Sequence, residues 1–229
     1  MKEAPKLSKR LQAAADLVRD GAFVADVGTD HAYLPIALCI LGKARGAVAS
    51  DINEGPIMRA KEHISEWELE GVIDAVLTDG LCKIEEYSPT DILILGMGGE
   101  LIADIVERAE FTKNKDIRLI LQPMTHSEIL RRFLIENGYE IVDECLVLDE
   151  KIYQIICAEY SGRKDTSYTD VELLLGRENI KRKDPLLYDV IARFKAVFGE
   201  RLKGKKSANA DVFEEIKMLE ALTRLEESR

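Results

Sequence analysis

Two strand-like runs, YEIVDECLVLDE (139–150) and KIYQIICAEY (151–160), follow one another with no room for a helix between them. Strands joined so tightly pair antiparallel, because a parallel pair needs a crossover of a dozen residues or more. Upstream the pattern is the opposite. AFVADVG (22–28), GAVASDI (46–52), IDAVLTD (73–79), TDILILGMG (90–98) and IRLILQPM (117–124) are short, rich in Val, Ile and Leu, and closed by turn residues, as buried parallel strands are. Helical patterns separate them: Leu34, Ala37, Leu38 and Leu41 share a face, as do Ile57, Ala60, Lys61 and Ile64, then Leu101, Ile105 and Val106, then Ile129, Phe133 and Leu134. Asn137-Gly138 stops the last helix before the hairpin. Five parallel strands with right-handed crossovers and a closing antiparallel hairpin make a doubly wound α/β fold, a mixed sheet of seven strands.

A chain of 229 residues, 46% of them apolar, can bury one such core and carry a smaller appended piece. The expected boundary divides 1–162 from 163–229. In the second part Leu187, Val190, Ile191, Phe194, Val197, Phe198 and Leu202 recur at helical spacing. A second stripe of Phe213, Ile216, Leu219, Leu222 and Leu225 follows the breaker GKKSAN at 204–209. The pattern predicts an antiparallel helical hairpin resembling a coiled coil. The net charge of −10 disfavours a polyanionic partner, but between Arg163 and Lys206 twelve Lys or Arg stand against seven Asp or Glu. That excess is either a solvated helical face or a nucleic-acid contact.

Cys39, Cys82, Cys145 and Cys157 are widely spaced, with no C-x-x-C pair, so reduced thiols are expected and a zinc site is not. No apolar run approaches the roughly 18 residues of a membrane span, and MKEAPKLSKR lacks the apolar stretch of a signal peptide. The expected location is the cytoplasm, with no membrane contact, and no feature points to an obligate protein partner.

A seven-stranded sheet ending in an antiparallel hairpin resembles the Rossmann-like fold of class I S-adenosylmethionine-dependent methyltransferases. Open α/β sheets bind ligands at the carboxyl ends of their strands, beside the switch in strand order. The first such end reads VADVGTDHAYLP (24–35), where Gly28 permits a tight turn and close approach. Asp30 and Ala32 stand where a dinucleotide fingerprint would place further glycines. A carboxylate there repels phosphates and suits a cation such as the ammonium of a methionine moiety, with Asp26 as a second or water-mediated acceptor. Asp51, with the adjoining Ile52, ends the second strand where an acidic residue accepts from ribose hydroxyls. Asp79-Gly80 ends the third, where an acceptor meets the adenine amino group. Any one of these is equally a turn residue; three at consecutive strand ends describe a rim for adenosine plus an amino acid.

The stretches DVGTDHAYLP, ASDIN, LTDGL, ILGMGG and LQPM, with the helical extension, resemble the bacterial tRNA (adenine-22-N1)-methyltransferase family, the TrmK type. The resemblance runs from LSKRL at 7–11 to the hairpin. It implies methyl transfer from S-adenosylmethionine to N1 of an adenine in the tRNA D-arm, with tRNA as the partner and the C-terminal helices assisting. The expected cofactor residues are Asp26, Gly28, Asp30, His31, Asp51, Ile52, Asp79, Gly80, Gly96, Met97 and Gly98. Asp30, His31 and Tyr33 are the expected catalytic group, and no metal is expected.

Where amino-directed methyltransferases carry an Asn or Asp, two prolines and an aromatic, this chain reads Gly96-Met97-Gly98-Gly99. A ring-nitrogen target fits that, with Tyr33 stacking on the base, His31 or Asp30 hydrogen-bonding it, and Met97 covering the cofactor adenine. Of the other histidines, His63 falls on a surface helix and only His126 near the edge of the site. The residues also leave open a methyltransferase acting on a small molecule or protein, and a non-catalytic nucleotide-binding module whose helices associate with another protein.

Overall fold

The computed structural model describes residues 2–208 and 210–227, in two compact units, one through Thr166 and one from Ser167. In the first, strands β1 (Ala22–Val27), β2 (Ala44–Asp51), β3 (Ile73–Leu77), β4 (Asp91–Met97), β5 (Arg118–Pro123), β6 (Tyr139–Leu148) and β7 (Ile152–Tyr160) form one sheet in the order β3-β2-β1-β4-β5-β7-β6. The first five pair parallel, while β7 lies antiparallel between β5 and β6. The order of strands therefore switches sides at β1, which has β2 on one flank and β4 on the other, and this opens a crevice at their carboxyl ends.

Helices α1 (Lys9–Asp16), α2 (Tyr33–Ile40), α3 (Glu54–Glu66), α4 (Gly99–Glu107) and α5 (Ser127–Glu136) accompany the sheet. The central strands are buried on both faces: Val24, Ala25, Ile92, Leu93, Ile94, Leu119, Ile120 and Leu121 are sealed from solvent. That is why they read as continuous apolar runs rather than alternating ones. The buried stripes on the helices are narrower than the apolar pattern predicts. Leu41, Leu101 and Ile129 are exposed; Leu41 lies just past the last residue of α2, and the other two sit on the outer flank of α4 and α5.

Two charged contacts sit inside this unit. Asp91, fully buried at the start of β4, takes a two-pronged contact from Arg19, Nε at 2.9 Å and Nη2 at 2.7 Å. Arg131 of α5 is buried against Glu144 of β6 at 2.6 Å and Gln154 of β7 at 2.6 Å. A charge so deep persists only when paired and hydrogen-bonded. No disulfide joins Cys39, Cys82, Cys145 and Cys157 among the described residues; burial pushes Cys39 up to about 11 and Cys157 up to about 12.

The second unit holds α6 (Asp170–Leu175), α7 (Arg177–Lys181), α8 (Leu187–Ser207) and α9 (Phe213–Glu227). Two short helices thus precede the expected pair, the first opened by a capping box between Thr169 and Glu172. Lys195–Glu226 and Lys205–Glu215 ion pairs tie α8 to α9 in antiparallel register. The break expected at 204 comes later, because α8 runs through Gly204, Lys205 and Lys206 to Ser207. A mid-helix Gly costs only about 1 kcal/mol, and two lysines in the last turn favour the negative end of the helix dipole. Asn209, the last residue of the expected breaker, lies outside the described residues. No helix among the described residues is long and apolar enough to cross a membrane.

Candidate active site

The turn after β1 is built on Gly28, which holds φ +79°. A Cβ at that position would collide with the Met97 side chain at the end of β4, so the β1 turn and the end of β4 close on one another only because residue 28 is glycine. The amides of Gly28 and Thr29 both donate to the Ser50 carbonyl, at 2.8 and 2.9 Å. They are thereby committed to the neighbouring strand and not free to cradle a phosphate. Thr29 Oγ1 accepts from the Ala32 amide at 3.1 Å and shapes the left-handed step at Ala32 that starts α2.

The carboxylates on either side of Gly28 differ sharply. Asp26 is buried, and burial pushes its carboxyl up to about 6, opposed only by a hydrogen bond from Thr29. Asp30 is exposed and already paired: Arg59 Nη2 of α3 lies 2.5 Å from its Oδ1, and His31 Nε2 lies 3.2 Å from Oδ2. The Arg59 guanidinium holds the Asp30 carboxyl below the usual range, with the charge of His31 adding to it. Asp30 thus fastens the turn to α3, whereas Asp26 faces no cation within 4 Å among the described residues.

At the end of β2, Asp51 Oδ1 accepts from the Asn53 amide at 2.7 Å and from Asn53 Nδ2 at 3.0 Å, so both bonds fall on one carboxylate oxygen. Ile52 beside it is an exposed apolar side chain, 64% accessible. The Ser50 hydroxyl, one residue before Asp51 in β2, is buried without a partner among the described residues, an unmet polar group. Just after β3, Asp79 pairs with Arg108, the residue that follows α4, at 3.0 Å, and Gly80 turns the chain at φ +54°. A cavity of about 580 Å³ opens beside Asp79, lined among others by Leu81, Cys82, Ile105 and Arg108.

Near the end of β4, Gly96 takes φ +82° where the register with β5 shifts, and Gly98 caps the start of α4. This segment is laced to the end of β5: the Met124 amide donates to the Met97 carbonyl at 2.7 Å, and the Gly99 amide to the Thr125 carbonyl at 2.8 Å. Any Cβ at Gly99 would strike the His126 backbone. His126 itself adopts φ +53° and faces Glu128 at 3.3 Å.

His31 and Tyr33 come together with a third ring, placed there by α3. Ring centroids of His31 and Tyr33 lie 5.3 Å apart, Tyr33 and His63 4.7 Å, and His31 and His63 5.2 Å, all nearly parallel. Trp67 meets Tyr33 and His63 edge-on. His63 Nδ1 donates to the His31 carbonyl at 3.0 Å. The expectation that His63 stands on a surface helix away from the site is thus corrected: one turn of α3 carries Arg59 and His63 on one face, and that face meets the β1 turn. The i, i+4 spacing of Arg59 and His63 was the available signal.

These features sit within a chain whose relatives are identifiable. Residues 7–156 match the protein family described as "Methyltransferase domain". The tRNA (adenine(22)-N(1))-methyltransferase of Bacillus subtilis is 39% identical over 172 residues, which span 75% of this chain and 72% of that protein. The crystal structure of the Bacillus subtilis M1A22 tRNA methyltransferase TrmK superposes with a TM-score of 0.83 at 33% identity, covering 98% of this chain and 97% of that one. Streptococcus pneumoniae Sp1610 in complex with S-adenosyl-L-methionine superposes with a TM-score of 0.85 at 30% identity, covering 96% and 99%. The chain belongs to the methyltransferase family that includes the tRNA (adenine(22)-N(1))-methyltransferase of Bacillus subtilis.

Proposed function

We propose that this protein transfers a methyl group from S-adenosylmethionine to N1 of adenine 22 in the D-arm of tRNA. The observation that carries the reading is the set of residues at the strand ends around one crevice: buried Asp26 near the end of β1, Asp51 at the end of β2, Asp79 just after β3 and the glycines Gly96, Gly98 and Gly99 around the end of β4. Asp26 receives the ammonium, Gly28 and Gly96 admit the amino-acid end, and Asp51 accepts from the ribose hydroxyls. Ile52 and Met97 cover the faces of the adenine, whose amino group Asp79 accepts while Arg108 orients it. S-adenosylmethionine, when bound, supplies an activated methyl group on a sulfonium centre.

Adenine N1 carries a lone pair at neutral pH, so the chain needs no base to deprotonate it. Its task is alignment and exclusion of water, and correct placement alone lowers a barrier by about 7–11 kcal/mol at best. His31 and Tyr33, steadied by His63, line the entrance for the target base, where their rings stack on it and their polar atoms meet its edge. The methyl-transfer site lies within residues 1–162, and the helical residues 163–229 serve the tRNA, acting in the cytoplasm.

The test is incubation of the full chain with methyl-labelled S-adenosylmethionine and a tRNA transcript, followed by mapping of the modified nucleotide. Label at N1 of adenine 22, absent from a transcript with guanine at that position, is the expected result. Label on protein or on small molecules alone would sink the reading.

A further inference from the structure

Arg10 lies in the first turn of α1, and three contacts hold it in place. Its amide donates to Asp149 Oδ2 in the β6–β7 turn at 3.2 Å, its guanidinium lies over the Tyr153 ring at 5.5 Å, and its Nη1 donates to Gln122 Oε1 at 2.8 Å. Gln122 is fully buried at the end of β5. Its Nε2 donates to the Pro123 carbonyl at 3.0 Å, and a carbonyl only accepts, so Oε1 has to face Arg10. A buried amide is thus oriented to hold one N–H of the guanidinium and leave the others free.

Those others have no carboxylate within 4 Å among the described residues, whereas Arg19, Arg59, Arg108, Arg118 and Arg131 each face one. The guanidinium stands beside the glycine-bearing end of β4, where a Cβ on Gly96 would come within 3.9 Å of Nη1. On the other side of β4 lie Gly28, which Met97 overhangs, and the strand end that carries Asp26.

An unneutralised cation held by β5 and an unneutralised carboxylate on β1 therefore lie on the two strands that flank β4, near its glycine-bearing end. A zwitterion is the ligand that meets both. An α-amino acid carries its ammonium and carboxylate on one carbon, and a planar guanidinium matches the carboxylate with two parallel N–H donors. We propose that Arg10, positioned by Gln122, is the counter-ion for the α-carboxylate at the amino-acid end of the methyl donor, opposite Asp26 at the ammonium. The inference rests on the reading of the crevice as an S-adenosylmethionine site.

The full chain is titrated by calorimetry with S-adenosylmethionine and with its decarboxylated analogue, which keeps the ammonium and adenosine. Arg10→Gln is expected to weaken S-adenosylmethionine at least about tenfold, the size of a charge-assisted hydrogen bond, and to leave the decarboxylated analogue little changed. Arg10→Lys recovers part of the loss, and Gln122→Leu moves in the same direction by less. Equal losses for both ligands would make Arg10 a scaffold of that strand end and overturn the inference. So would unchanged affinity for both with a weaker and less salt-dependent tRNA complex, which assigns the guanidinium to a phosphate. A wild-type chain that binds neither ligand overturns the parent reading and this inference with it.

Discussion

Arg59 Nη2 lies 2.5 Å from Asp30 Oδ1 and binds the turn after β1 to the outer face of α3. The pair is exposed, so its own contribution to stability is small, about 0–1 kcal/mol. Its consequence is geometric, since the same turn carries Gly28, His31 and Tyr33. Arg59→Ala is expected to leave the thermal midpoint within a few degrees while weakening S-adenosylmethionine binding several-fold. Asp30→Asn should cost less affinity than Asp26→Asn. Calorimetric titration of the three variants checks the order; a larger loss for Asp30→Asn would return the ammonium to Asp30.

Asp26 makes cofactor binding and stability depend on pH in opposite senses. Its carboxyl is raised from 3.8 to about 6 by burial, so the folded state holds the proton more tightly than the unfolded chain. The stabilisation is complete below pH about 4 and is lost as pH rises through about 6, a change of about 3 kcal/mol at most. Asp26→Asn should abolish that slope and be the more stable form above pH 6 in urea unfolding. Binding a cationic ammonium needs the ionised carboxylate, so affinity for S-adenosylmethionine should fall about tenfold per unit below pH 6. A flat binding profile from pH 5 to 7 would count against this role.

The ring cluster separates stacking from hydrogen bonding. Tyr33→Phe keeps the ring against His31 and His63 and should retain most of kcat, whereas Tyr33→Ala should lose one to two orders of magnitude in kcat/KM for tRNA. His63→Ala removes the donor to the His31 carbonyl and should fall between them with S-adenosylmethionine affinity preserved. Steady-state kinetics with saturating methyl donor distinguish the three; equal activity of Tyr33→Ala and wild type would remove Tyr33 from the base site.

The basic excess between 163 and 206 is partly neutralised in the fold. Lys181, Lys195, Lys203 and Lys205 each face a glutamate within their own unit. Reversing Lys181, Arg182 and Lys183 to glutamate is expected to weaken tRNA binding and flatten its dependence on salt, by about 0.9 in log–log slope for each phosphate that is no longer neutralised. Affinity for S-adenosylmethionine should not move. An unchanged slope would mark the segment as a solvated face.

The strands, their parallel and antiparallel senses, and the placement of Asp26, Asp51, Asp79 and Gly96 at or near strand ends were legible in the chain, because apolar period and turn chemistry are local properties of neighbouring residues. The same local information could not say that Asp30 spends its charge on Arg59, or that Asp26 is the carboxylate left without a cation. Nor could it show that His63 completes the rings of His31 and Tyr33, or that Arg10 meets Gln122 across more than a hundred residues. Those outcomes depend on which helix face docks against which strand end, and on how far each group is removed from water. Sequence alone therefore determined the architecture and the rim on which the site is built; the partners, burial and resulting charge of each site residue were decided only when the fold brought distant segments together.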